Sequence, residues 1–129
     1  MQQLHFQEKY PITVVDIQKS ETSYRTAEDI ADYYRQCISD TPRVSYLTTF
    51  DHLAHTRAIE GDIAADIQAA LNVVFCFGHT LPGPLVLAVR PRSIGIADMG
   101  DHFVISFMDA PMKPANDAMQ AWTLALRNR

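Results

Sequence analysis

The chain has 129 residues, eleven Lys/Arg against fifteen Asp/Glu for a formal charge of −4, and a hydrophobic share of 47%. That is the profile of one globular domain that buries a core without staples, and it excludes disordered and fibrous classes. The charges are few and scattered, so non-specific nucleic-acid binding, which depends on neutralising phosphates, is not expected.

The opening MQQLHFQEKYP lacks the basic-then-apolar pattern of a secretory signal. The segment Ile12–Ile17, ITVVDI, is dominated by β-branched residues and predicts a strand, followed by the polar turn Ser20–Ser23. Thr26 and Asp29 have the spacing of a capping box, and Ala27, Ile30, Ala31, Tyr34, Cys37 and Ile38 follow at the spacing of a helix with one buried face. Asp40-Thr41-Pro42 ends that helix, because the residue before proline is pushed out of the helical region. Val44–Phe50 predicts a second strand with Asp51-His52 at its exit, and Leu53–Ile59 fits a short helix. Gly61 breaks the pattern. Asp62 then heads a helix to about Leu71, with Ile63, Ala64, Ile67, Ala70 and Leu71 on its apolar face. Asn72–Phe77, NVVFCF, is apolar on both faces and predicts a central strand. The following GHTLPGP is a fixed loop, Leu85–Val89 suits either a short helix or a strand, and Ser93–Ala97 with His102–Phe107 forms a hairpin about Met99-Gly100-Asp101. A last helix runs from about Ala115 to Leu126.

The order β-α-β-α-β-β-β-α predicts a single α+β domain over residues 1–129, an antiparallel or mixed sheet with helices packed on one face. The pieces Phe50-Asp51-His52, Asn72–Gly78, Pro84-Leu85 and the hairpin Ser93–Phe107 resemble the bacterial family catalogued as domain of unknown function number 302. That resemblance implies a fold like the TATA-binding-protein half-repeat, β-α-β(4)-α, and a dimer. The chain departs from the family pattern at His79-Thr80, where the family has Asn-Pro, and at Arg92-Ser93-Ile94. The family has no agreed activity, so the resemblance speaks to fold alone.

The polar residues with chemical potential gather in FDHLAH and CFGHTLPGP. His52 and His55, at i and i+3, share a helix face, and Cys76 and His79 flank a strand exit. If the two segments met, His52, His55 and His79, with Cys76 as a fourth donor, would offer the nitrogen and sulfur set that zinc takes, with Asp51 orienting an imidazole. The plainer reading has His52 bonding near the strand exit, His55 in solvent and His79 bracing the loop. Cys76, like Cys37, reads as a small core residue rather than a nucleophile, and two cysteines make no disulfide framework. Met99, Met108, Met112 and Met119 suggest a methionine-rich edge for a second copy. The expectation is therefore a cytoplasmic protein, a homodimer, that binds a small ligand or a metal through Asp51, His52, His55 and His79. The alternatives are a histidine-dependent enzyme, with or without metal, and an interaction module without a small-molecule site. No membrane partner is expected, since the longest apolar run, Leu85–Val89, is far too short to span a bilayer.

Overall fold

The computed structural model describes residues 1–129. Six strands, β1 (Gln2–Phe6), β2 (Tyr10–Gln18), β3 (Val44–Asp51), β4 (Ala69–Phe77), β5 (Arg92–Asp98) and β6 (His102–Met108), form one antiparallel sheet in the order β1-β2-β6-β5-β4-β3. Three helices, α1 (Ala27–Ser39), α2 (His52–Ala58) and α3 (Lys113–Leu124), complete the α+β fold. The succession β-α-β(4)-α implied by the resemblance is interrupted by α2 and preceded by β1.

Two expectations are corrected. β1 was not expected: every residue of it is exposed, so QQLHF carries no buried alternation. It joins β2 through Gln7 and Glu8, both at positive φ (53° and 61°), the backbone of a tight hairpin turn that sequences usually mark with Asn-Gly. The helix expected from Asp62 to Leu71 is absent. Residues 61–68 are irregular, and Leu71 pairs with Asp51 on one side and Ile96 on the other. Apolar residues at helical spacing were overridden by strand pairing, which buries Leu71 in the core.

The core lies on one face of the sheet. Val15 and Ile17 of β2, Val73 and Phe75 of β4, Ile94 and Ile96 of β5, and Phe103, Ile105 and Phe107 of β6 all point there. The period-2 alternation of these strands makes the arrangement. α1 closes over it with Ala27, Ile30, Ala31, Tyr34 and Ile38, and its start is fixed by the reciprocal Thr26–Asp29 capping box. α3 adds Met119 and Thr123, and Leu126 follows it into the core. Met119 is thus core, not part of an exposed methionine edge. Of that group only Met108 and Met112 are largely exposed.

The two helices are joined by a buried polar pair. The Tyr34 hydroxyl lies 2.7 Å from Thr123 Oγ1, which itself donates to the Met119 carbonyl at 2.7 Å. The threonine's one proton is therefore used within α3, and Tyr34 is the donor to Thr123. Burial drives the Tyr34 phenol well above its usual pKa. Thr123→Val leaves the buried tyrosine hydroxyl without an acceptor, whereas Tyr34→Phe removes the donor and leaves Thr123 still bonded to Met119. Urea unfolding is expected to show Thr123→Val costing about 1–3 kcal/mol and Tyr34→Phe about 1 kcal/mol. Equal losses would mean that the bond does not run in this direction.

Candidate functional site

β3 and β4 are antiparallel neighbours, with Asp51 opposite Leu71 at one end and Val44 opposite Phe77 at the other. The exits of antiparallel strands lie at opposite ends of a sheet. His52 leaves β3 beside Asn72, and His79 follows β4 beyond Phe77, a separation of roughly 17 Å or more along the strand. The structure therefore does not bring His52, His55 and His79 together. No group of three or more His, Cys, Asp or Glu side chains is placed to hold a metal ion.

At the first end a bulge in β3 sets the geometry. The register shifts between Tyr46 and Thr48, so the parity of the strand changes at Leu47. Tyr46 and Thr49 both face inward, joined hydroxyl to hydroxyl at 2.8 Å. Phe50, opposite Asn72, is left on the outer face. The Phe50 ring stands edge-on to His52 (centroids 4.7 Å, 87°) and tilted against His55 (5.4 Å, 52°). His52 Nε2 bonds Asn72 Oδ1, and Asn72 Nδ2 donates to Ser93 Oγ at 3.1 Å. With the amide oxygen accepting, His52 donates through Nε2. Asp51 does not orient the imidazole. Its Oδ1 accepts from Ala54 N at 3.1 Å and caps α2.

Asn72 and Ser93 open onto a groove of about 360 Å³ on the outer face, whose floor includes Gly95, Ser106, Ile12 and Met108. A shallower extension, about 130 Å³, reaches His52, Ala97 and Val104. A Cβ at Gly95 would lie 3.3 Å from Ser106 Oγ and 3.4 Å from the Ser106 carbonyl, so glycine keeps this floor flat. Sequence reasoning missed Asn72, Ser93 and Ser106. One signal was present: Asn72 is the polar member of an otherwise apolar strand.

The second end holds His79 in a groove of about 460 Å³ with Arg43, Arg90, Phe77 and Met112. His79 is exposed and does not brace the loop through its side chain. The bracing comes from Arg90, whose Nη1 donates to the Thr80 carbonyl at 2.6 Å.

The cysteines also depart from expectation. Val73 and Phe75 are the buried residues of β4, which puts Val74 and Cys76 on the outer face, where Cys76 is half-buried. Cys37 is half-buried on α1, and burial raises its thiol pKa, with the neighbouring Tyr33 hydroxyl acting the other way. Because the thiolate is the nucleophile, Cys37 is expected to alkylate more slowly than free cysteine at mildly alkaline pH, as read by mass spectrometry. A rate equal to that of free cysteine would contradict this placement.

The family model described as "Family of unknown function (DUF6858)" matches residues 1–128. The specific resemblance to family number 302 is not confirmed, and what stands of it is membership of a family of unknown function. No curated protein and no solved structure was found to match the chain. No helix is long and apolar enough to cross a membrane. With the family match running over essentially its whole length, the chain belongs to the family of unknown function DUF6858.

Proposed function

We propose that this protein binds a small polar ligand in the groove on the outer face of its sheet, with His52, Asn72 and Ser93 as the polar contacts and Phe50 and His55 at the rim. The observation that carries the reading is the hydrogen-bonded line from His52 through Asn72 to Ser93, beside a concave floor that includes Gly95 and Ser106. Few convergent polar groups in a preformed concavity are the usual make-up of a small-molecule site. Serine hydroxyls rotate to donate or accept, so the groove suits a ligand bearing both hydroxyl or amide donors and acceptors. Asp51 supports the site indirectly, by fixing the start of the helix that carries His52 and His55.

A second copy of the chain is proposed to cover this face. Antiparallel sheets with one solvated side are usually polar on that side. Here Val14, Val74 and Val104 share it with Ile12, Cys76 and Ala97, all half-buried on the face opposite the main core. A homodimer assembled there would roof the groove.

In ¹H–¹⁵N spectra titrated with small polyols and amides, at least one compound is expected to give saturable shifts at Asn72, Ser93, Gly95 and Ser106. Asn72→Ala is expected to weaken that compound about tenfold through loss of a directed hydrogen bond. His52→Ala, at an exposed position, is expected to change unfolding stability by no more than about 0.5 kcal/mol. A screen with no saturable shift, or one unaffected by Asn72→Ala, counts against the site. Light scattering is expected to give about twice the 14.5 kDa chain mass. A monomeric mass counts against the dimer and leaves the groove standing.

A further inference from the structure

We infer that the groove at the opposite end of the sheet is a separate binding site for a small organic anion, a carboxylate with an apolar tail. It lies where β4 ends, bounded by the α1–β3 connection, the loop after Phe77 and the start of α3.

The first observation is charge. Arg43, Arg90 and His79 line the groove, and no Asp or Glu does, in a chain whose formal charge is −4. Acids on the flanking segments are engaged elsewhere. Asp40 accepts from Gln36 Nε2 at 2.9 Å, Asp117 pairs with Lys113 at 2.7 Å, and Asp109 accepts from Thr13 Oγ1 at 2.7 Å. The Arg43 guanidinium and the His79 ring meet no polar partner within the protein, and Arg90 commits only one nitrogen, Nη1, to the Thr80 carbonyl.

The second observation is that the cationic wall is held in place. Gly78 N donates to the Arg43 carbonyl at 2.7 Å, tying the loop to the α1–β3 connection. Gly78 has φ +84°, and a Cβ there would lie 2.9 Å from Arg90 Nη2, so glycine leaves the room in which the Arg90 guanidinium sits. A guanidinium with free donors presents the planar fork that matches a carboxylate.

The third observation is that, Thr41 and Thr80 aside, the rest of the groove is apolar. Phe77, Val44, Met112, Ala115 and Ala118 line it. Trp122 stacks on Phe77 from the core side (6.0 Å, 8°) and fixes that wall. Met112 is 62% exposed, a large apolar side chain at the rim that an apolar tail would cover. A volume of about 460 Å³ lies within the usual range of small-molecule sites. A phosphate without an apolar body would use the cations and leave these walls wet, so the carboxylate with a tail is the better match.

The test is titration of the full chain with hexanoate, hexanamide and inorganic phosphate, followed in ¹H–¹⁵N spectra. Hexanoate is expected to give saturable shifts at Gly78, His79, Thr80 and Ala115, and the neutral amide and phosphate to bind at least about tenfold more weakly. Arg43→Gln, which removes no hydrogen bond or ion pair within the protein, is expected to weaken hexanoate about tenfold with an unchanged melting temperature. Arg90→Gln should do the same and also disturb the loop it braces. His52→Ala should leave hexanoate binding untouched, which separates this site from the groove on the outer face. Absence of saturable shifts, equal binding of hexanamide or phosphate, or wild-type binding by Arg43→Gln would each overturn the inference.

Discussion

The inner face of the sheet buries its alternate residues beneath α1 and α3, and this one-sided burial sets the rest of the structure. Because side chains alternate along a strand, each inward residue of β4, β5 and β6 obliges its neighbour to face out. Phe75 inward puts Val74 and Cys76 outward, and Ile94 and Ile96 inward put Ser93, Gly95 and Ala97 outward. The groove on the outer face is the complement of the core. Its small and hydroxylated residues stand where the pleat presents them, and the strands that hold them cannot shift register without exposing the core.

Three polar groups that enter the inner face are paired, whereas Arg92 Nε is buried without a partner. Tyr34 donates to Thr123, Thr13 to Asp109 at 2.7 Å, and Asp98 meets Lys19 at 3.0 Å while accepting from Gly100 N at 2.9 Å. Lys19 also lies over the Phe103 ring, 5.1 Å from its centroid. Each pair joins elements distant in sequence: α1 with α3, β2 with the segment after β6, and the end of β2 with β5. A buried group left without its partner is costly, so these pairs favour one arrangement of the layers over near alternatives.

The histidines illustrate how far local spacing carries. His52 and His55 do lie together, because one short helix and the Phe50 ring between them settle the matter locally. His79 does not join them, because the distance from β3's exit to β4's exit depends on how the two strands pair. Antiparallel pairing places these exits at opposite ends, and what read as one histidine site resolves into two grooves of different chemistry. One is lined by Asn72, Ser93 and Ser106 with Arg92 at its edge, and the other by Arg43, Arg90 and apolar walls.

Much of the architecture was legible in the residues alone. The Thr26–Asp29 capping box, the helical spacing of α1, the β-branched run of β2 and the Met99–Asp101 hairpin are local signals, and local hydrogen bonding and burial decide them. β1 was hidden because an exposed edge strand has no buried alternation, and the false helix over 62–71 arose because its spacing satisfied both periods until β3 and β5 claimed Leu71. The sequence by itself determined an α+β fold with helices packed on a sheet and named the histidines. Only the tertiary structure decided what they meet. The bulge at Leu47 turns Phe50 outward beside His52, and the β4–β5 pairing sets Asn72 within reach of Ser93. Neither is visible locally, because parity and register are properties of paired strands rather than of either strand alone.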